Sequence, residues 1–344
     1  MFEKREYQTR IVTKLVDMFS KHRHIMLESP VGSGKTYMGL KALSKLGGSV
    51  VWVTMRRNLL TQAEKTMIKM DLNLDIHFDT IFQKHYPKAD MLLIDEAQHD
   101  ATDSLNNVFE QVAPKRVLGL SGTPFRTDKM TLCYEKTVRD IGIQQLIRLG
   151  YLSKFEHLNI KNWKPENVAK HYLMDPKGYG QSVMYFRTYE ECLKANSILV
   201  KNGIRSDIVT GNSDRDVQIA KFENLELDVL VNMMVLTEGF DAPQMQSIFV
   251  RDSSKLPTIQ MAGRVLRTYT HCPVKKIVQS IETSFPFNKV ASPIKSYTWD
   301  RNKWLSMTQE NLDPIIYGVA RYMASQPIVE PFKIEKFKLK RGKL

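Results

Sequence analysis

Lys35 and Thr36 close the run SPVGSGKT, and Asp95 and Glu96 stand side by side in MLLIDEAQHD. A lysine and a hydroxyl residue ending a glycine loop are the groups that reach a nucleotide's β- and γ-phosphates and hold its Mg2+. Adjacent carboxylates at a strand end are a pair that can hold that metal, through Asp95, and position an attacking water, through Glu96. The chemistry open to these four residues is hydrolysis of a nucleoside triphosphate. The loop departs from the strict pattern G-x-x-x-x-G-K-[ST] at its first position, where Ser29 stands instead of glycine. Taken alone, it also fits a glycine-rich turn that contains a lysine.

The flanking elements favour a phosphate cradle. HIMLE before the loop is short and apolar, as a buried parallel strand is. TYMGLKALSKLGG after it has apolar residues at helical spacing and stops at Gly47-Gly48. Between strand and helix, the loop Ser29, Pro30, Val31, Gly32, Ser33 and Gly34 would curl around an anion, every residue but Pro30 having a backbone N–H to offer, with the helix N-terminus behind it. Gly32 and Gly34 supply the backbone freedom for that curl.

The same alternation continues. SVVWVT, MLLID and RVLGLSG read as further strands, and NLLTQAEKTMIKM as a helix opening at Asn58. This is the rhythm of a parallel sheet with helices on both faces. YEKTVRDIGIQQLIRLGYLSKFEHLNIKNWKPEN breaks it and reads as a bridge. The rhythm then resumes through SVMYF, TYEECLKANSILVKNG, IRSDIVT, SDRDVQIAKFEN, DVLVNM, SIFVRD and KKIVQSI, with Ser213 and Asp216 spaced like a capping box. The second half has no second glycine loop, so the two halves have different tasks. In it, PTIQMAGRVLRT predicts a helix with Arg264 and Arg267 at i, i+3, sharing one face. An arginine offered across a domain boundary can stabilise charge on a transferring phosphoryl group. Ser121 and Thr123 in GLSGTPFR could link the nucleotide site to the second half by hydrogen bonds; alone, that stretch is only a turn.

Taken together and in order, REYQ, SPVGSGKT, DEAQH, SGTP, TEGFDAP and QMAGRVLR resemble superfamily 2 helicases and translocases, over nearly all of residues 1–281. Ser29-Pro30 is normal for that family. The resemblance implies an α/β fold of two tandem RecA-like domains, each a mostly parallel sheet flanked by helices. Their bounds are set at 1–150 and 151–283, with 284–344 a C-terminal helical segment and basic tail. It implies ATP and Mg2+ as the nucleotide and metal, with Arg5 and Gln8 in an adenine-recognition motif. Asp95 and Thr36 would be the metal ligands, Glu96 the catalytic glutamate, Gln98 a coupling residue toward the other domain, and Ser121 and Thr123 the coupling motif. Gly239 and Asp241 would contact ribose and bound strand. Gln260, Arg264 and Arg267 match the last motif, the arginines facing the γ-phosphate. Arg56, Thr80, Thr210 and Gly211 would contact nucleic acid. DEAQ and SGTP depart from the commoner DEAD or DEAH and SATP without removing a phosphate or metal group. QMAGRVLR looks like the DNA-directed branch, which includes restriction-enzyme motors and the fork-remodelling helicases of the phage UvsW or bacterial RadD kind.

Composition sets the outer bounds. Of 344 residues, 42% are hydrophobic, which argues for a folded chain of two domains, and the net charge of +13 suits a polyanion partner or a solvated basic surface equally. Cys133, Cys192 and Cys272 are isolated, so neither disulfides nor zinc are expected. No apolar run suggests a membrane span or signal peptide, and a cytoplasmic location is expected, that of the host if the gene is a phage's. The expected partner is DNA, single-stranded, forked or branched. An RNA helicase and a nucleotide-gated clamp without processive unwinding are the alternatives.

Overall fold

The computed structural model describes residues 5–99, 103–122, 134–233, 235–237, 242–291, 297–300 and 303–306. The chain divides into a unit of Met1–Ala291 and a second of Ser292–Leu344.

The first unit opens with α1 (Glu6–Met18), β1 (His24–Glu28), α2 (Lys35–Leu46), β2 (Val50–Thr54), α3 (Arg57–Lys69), β3 (Ile76–Thr80), β4 (Met91–Asp95), α4 (Asp103–Val112), β5 (Arg116–Ser121) and β6 (Lys136–Val138). The strands form one sheet in the order β3-β2-β4-β5-β1-β6, every pair parallel. Successive side chains on a strand point to opposite faces, so a sheet covered on both sides needs apolar residues throughout. Ile25, Leu27, Trp52, Leu93 and Leu118 accordingly enter one core, and Met26, Val51, Val53, Leu92 and Ile94 enter another.

A connector containing α5 (Ile143–Arg148) leads to β7 (Lys154–Ile160), α6 (Pro165–Met174), α7 (Pro176–Tyr179), β8 (Ser182–Tyr185), α8 (Tyr189–Lys201), β9 (Ser206–Val209), α9 (Arg215–Glu223), β10 (Val229–Asn232), β11 (Ser247–Val250), α10 (Lys255–Gly263), β12 (Val274–Ser280) and α11 (Phe287–Val290). Their sheet runs β7-β12-β11-β8-β10-β9, again all parallel. The fold is two tandem RecA-like sheets with flanking helices, as the motifs imply.

Sheet order gathers the motifs. β4, β5 and β1 are neighbours, so MLLID, RVLGLS and HIMLE end at one edge, with Glu28 in register with Ser121 and Asp95 with Leu120. Ligands of parallel α/β sheets bind at this carboxyl edge.

Local expectations need four corrections. α3 starts at Arg57, after an extended Arg56, rather than at an Asn58 cap. Asp214, not Ser213, caps α9, its carboxylate accepting the Val217 N–H at 3.3 Å, while the Ser213 hydroxyl donates to Gln218 at 2.7 Å. The helix expected through the arginine motif stops at Gly263. In the second unit, β13 (Tyr297–Asp300) and β14 (Lys303–Ser306) form an antiparallel pair where a helix was expected, with Trp299 in register with Trp304. Aromatic and β-branched residues in YTWD favour a strand over the helix.

Candidate nucleotide site

The loop after β1 takes its shape from two left-handed glycines, Gly32 (φ +80°) and Gly34 (φ +84°). A Cβ on Gly34 would lie 2.6 Å from Gln8 Nε2. Other bonds hold the curl from inside. The Ser29 hydroxyl donates to the Ser33 hydroxyl at 2.7 Å, the Ser33 N–H donates to the Pro30 carbonyl at 3.1 Å, and the Ser29 N–H donates to the Ser121 carbonyl at 3.0 Å. Both serine side chains are fully buried. Where the strict pattern has glycine, Ser29 contributes a latch across the loop.

α1 braces the same loop from outside. The Tyr7 hydroxyl and the Gln8 amide both donate to the Ser33 carbonyl, at 2.6 and 2.9 Å. Arg5 lies 4.6 Å from the centre of the Tyr151 ring, which in turn packs 5.5 Å from Tyr7. Tyr7 and Tyr151 went unread in the sequence. The chemical signal was an aromatic within REYQ and another in the bridge.

Lys35 opens α2 and lays its ammonium against Gly122 at the end of β5, 3.3 Å from where a Cβ there would be. Burial lowers its pKa below the usual lysine value. Glu96 and Asp95 pull it back up, and Arg264 and Arg267 push it down again. All four charged groups therefore act on one ammonium, although the two arginines belong to the second sheet.

Asp95 ends β4 and is 8% exposed. Glu96 follows in the left-handed region at φ +55°, a strained position for a residue with a side chain. Its N–H donates to Asp95 Oδ1 at 3.0 Å. Gln98 then joins two strand ends: its amide donates to Glu96 Oε2 at 3.0 Å, and its carbonyl accepts the Ser121 hydroxyl at 2.7 Å. The fourth residue of DEAQ thus bridges Glu96 to Ser121 of SGTP.

α10 carries Gln260, which is buried, and ends against the loop, with a Cβ at Gly263 falling 3.3 Å from Val31 Cβ. Arg264 caps the helix and is buried; Arg267 lies beyond it and is half-buried. The helix thus stops before both arginines, yet each acts on Lys35. The last turn tightens to i→i−3 bonds, from Arg264 N–H to the Met261 carbonyl and Val265 N–H to the Ala262 carbonyl, both 3.3 Å. Past it, the Leu266 and Arg267 carbonyls accept bonds from Ser153, at 2.7 Å from its N–H and 3.1 Å from its hydroxyl.

The residues proposed for strand contact lie apart from this cluster in sequence and occupy other strand ends. Arg56 follows β2 and is half-buried; Thr80 ends β3, buried, its carbonyl taken by the Tyr86 hydroxyl at 2.7 Å. Thr210 follows β9, its N–H donating to the Ser213 hydroxyl at 2.9 Å, beside an exposed Gly211. Thr123, Gly239 and Asp241 lie outside the described residues.

Among the described residues, no group of three or more His, Cys, Asp or Glu could hold a metal by itself, and no helix is long and apolar enough to cross a membrane. The Thr36 hydroxyl and the Asp95 carboxylate are the groups that would serve at the loop. Two hard oxygens, to be completed by phosphate and water, fit Mg2+, which rarely takes an all-protein cage.

Known proteins carry the same pattern. Residues 1–83 match the family described as type III restriction enzyme, res subunit, and residues 163–269 match the helicase conserved C-terminal domain. A protein of Sulfolobus islandicus filamentous virus (isolate Iceland/Hveragerdi) bearing the name helicase 22 is 24% identical, covering 77% of this chain and 62% of its own. A Saccharomyces cerevisiae protein bearing the name ATP-dependent helicase IRC3 is 23% identical over 78% of this chain and 50% of its own. The chain thus spans between half and two thirds of the length of these relatives. In fold it is similar to the ATP-dependent type ISP restriction-modification enzyme LlaBIII bound to DNA, with a TM-score of 0.58 at 16% identity, over 81% of this chain and 28% of that one. A Saccharomyces cerevisiae dbp5 variant bound to gle1 and ip6 gives a TM-score of 0.56 at 16% identity, over 83% and 84% of the two chains. The chain is similar to superfamily 2 helicases, and within them to the restriction-motor members.

Proposed function

We propose that the chain is an ATP-driven helicase or translocase acting on DNA, in single-stranded, forked or branched form. A first domain, residues 1–150, supplies the phosphate cradle, and a second, residues 151–283, supplies the arginines. The observation that carries this reading is the seat of Gly263 on Val31, with the fields of Arg264 and Arg267 both reaching Lys35. Groups from two sheets converge on one small volume, as a phosphoryl-transfer site between domains requires.

In this reading the N–H groups of Gly32, Ser33 and Gly34 and the Lys35 ammonium bind the β- and γ-phosphates, while Arg5 and Gln8 lie on the adenine side. Mg2+, held by Thr36 and through Asp95, would neutralise charge on the phosphate oxygens. Glu96, fixed by Gln98, orients the attacking water and accepts its proton. Arg264 and Arg267 stabilise charge on the transferring phosphoryl group, with Gln260 beside them. Once phosphate leaves, the arginines lose their anionic partner and the domains separate. Thr80, Arg56, Thr210 and Gly211, with Gly239 and Asp241, would grip the strand. Repeated closure would move one grip past the other.

The net charge of +13 suits a nucleic-acid partner of either kind, and the likeness to a DNA-bound restriction enzyme favours DNA as the strand. The test is ATP hydrolysis by the purified chain with matched DNA and RNA strands, followed by strand displacement on forked duplexes. DNA stimulation with displacement supports the reading. Stimulation by RNA alone favours an RNA helicase, and stimulation without displacement favours a clamp.

A further inference from the structure

Past the end of α10, the carbonyls of Leu266 and Arg267 accept hydrogen bonds from Ser153 in the bridge between the sheets. We infer that Ser153 is a positioning residue for Arg267 and that Tyr151–Leu152–Ser153 forms a strap tying the finger to the phosphate loop. The inference rests on the proposed function above.

The strap starts from a rigid corner. α5 ends with Leu149 as its cap and Gly150 at φ +76°. The Tyr151 N–H donates to the Leu146 carbonyl at 2.9 Å and the Gly150 N–H to the Ile147 carbonyl at 3.0 Å. That 6→1 and 5→2 pair is a Schellman motif, which fixes the chain direction after a helix and needs a left-handed residue at this place. Each of the next three residues then meets a different part of the site. Tyr151 packs on Tyr7 and under Arg5, the adenine side. Leu152, buried, touches Gly32 so closely that a Cβ there would lie 2.9 Å from its Cδ2. Ser153, also buried, holds the carbonyls of Leu266 and Arg267. Since adjacent Cα atoms stand about 3.8 Å apart, a shift of the loop or of the base-side tyrosines is passed to the Arg267 backbone with little slack. The strap thereby lets the occupied cradle set the position of the finger.

The experiment is steady-state ATP hydrolysis by the full chain with saturating DNA, with nucleotide affinity and the thermal unfolding midpoint measured in parallel. Ser153→Ala removes the hydroxyl and keeps the N–H bond. The strap predicts a loss in kcat of about tenfold, the scale on which misplacing a positioned group acts. KM for ATP should stay within about twofold and the unfolding midpoint within about 4 °C, the scale of one lost hydrogen bond. In an Arg267→Ala background, Ser153→Ala should cost nothing further, because residues acting through one group are not additive. A kcat within about twofold of the parent, or an equal loss with Arg267 already removed, overturns the inference. Should Ser153→Ala not fold, Ser153→Cys carries the same comparison. Parent and Lys35→Ala are assayed first: without Lys35-dependent hydrolysis the proposed function fails, whereas parent hydrolysis with Ser153-independent turnover refutes only the strap.

Discussion

The Gln98 side-chain amide donates to the Glu96 carboxylate at 3.0 Å and simultaneously accepts the Ser121 hydroxyl at 2.7 Å. Glu96 sits on strained backbone at φ +55°, so its side chain needs an external hold to stay aimed. A hydrogen bond to a charged group contributes about 1.5–3 kcal/mol. Gln98→Ala is therefore expected to lower kcat by about 10- to 100-fold with little change in KM. Gln98→Glu, which sets a second carboxylate beside Glu96, should lower it at least as far. Steady-state kinetics at saturating DNA check both.

Contact between the two halves is tested at Gly263. A Cβ there meets Val31 Cβ at 3.3 Å, so the added branches of valine have no room. Overpacking of this kind costs about 1–3 kcal/mol. Gly263→Val should separate the arginine segment from the loop and slow hydrolysis by about tenfold or more. Mant-nucleotide titration should show the cradle still binding. Parent-like turnover would mean that the contact is not needed for catalysis.

pH dependence of stability has one well-defined source in the second sheet. Arg205 donates to Asp228 through Nε at 3.0 Å, Nη2 at 2.6 Å and its backbone N–H at 3.1 Å, joining the chain entering β9 to that entering β10. The side-chain bonds from Arg205 hold the Asp228 carboxyl below its usual range, against burial, which raises it. A depressed carboxyl adds stability above its unfolded pKa, about 4, and loses it as pH falls through the folded value. Asp228→Asn should thus lower stability at pH 7 by about 1 kcal/mol, the pair being partly screened by solvent. The difference from the parent should shrink from pH 7 to about pH 2, as the carboxyl takes up its proton. Thermal or urea unfolding at both pH values measures it, and an equal loss at both contradicts the assignment.

A strand held by its phosphates releases counterions on binding, so log K should fall linearly and steeply with log salt. Fluorescence anisotropy with a labelled DNA strand from about 50 to 200 mM salt reads the slope, and losses of about 10³-fold or more correspond to six or more neutralised phosphates. Arg56→Ala should reduce the slope by about one unit and weaken different sequences alike. A flat response counts against backbone tracking.

Much of the candidate nucleotide site was legible because it is built from consecutive residues at strand ends. Ser29 to Thr36 form one loop, Asp95-Glu96 one dipeptide, and parallel sheet order alone brings β1, β4 and β5 together. The alternation of apolar strands and amphipathic helices was equally plain, since both faces of each sheet are covered. What escaped depends on contacts far apart in the chain. Gly263 is a local mark for the stop within MAGRVLR, but nothing local shows that the Leu266 and Arg267 carbonyls then go to Ser153. Tyr7 and Tyr151 have no local mark of their role, which appears only when the fold sets their rings 5.5 Å apart. The expected helix near Tyr297 yielded to aromatic strand preference, and helix starts at Arg57 and Arg215 moved by a residue or two, as ends do.

The central claim is that one nucleotide is gripped by Lys35 from one domain and by Arg267 from the other. DNA-stimulated ATP turnover by Arg267→Ala, measured beside its nucleotide affinity, tests it most directly. The account predicts affinity within about threefold of the parent and turnover reduced by about 10³-fold or more, the scale of an arginine finger. Turnover equal to the parent's at saturating ATP and DNA would contradict it.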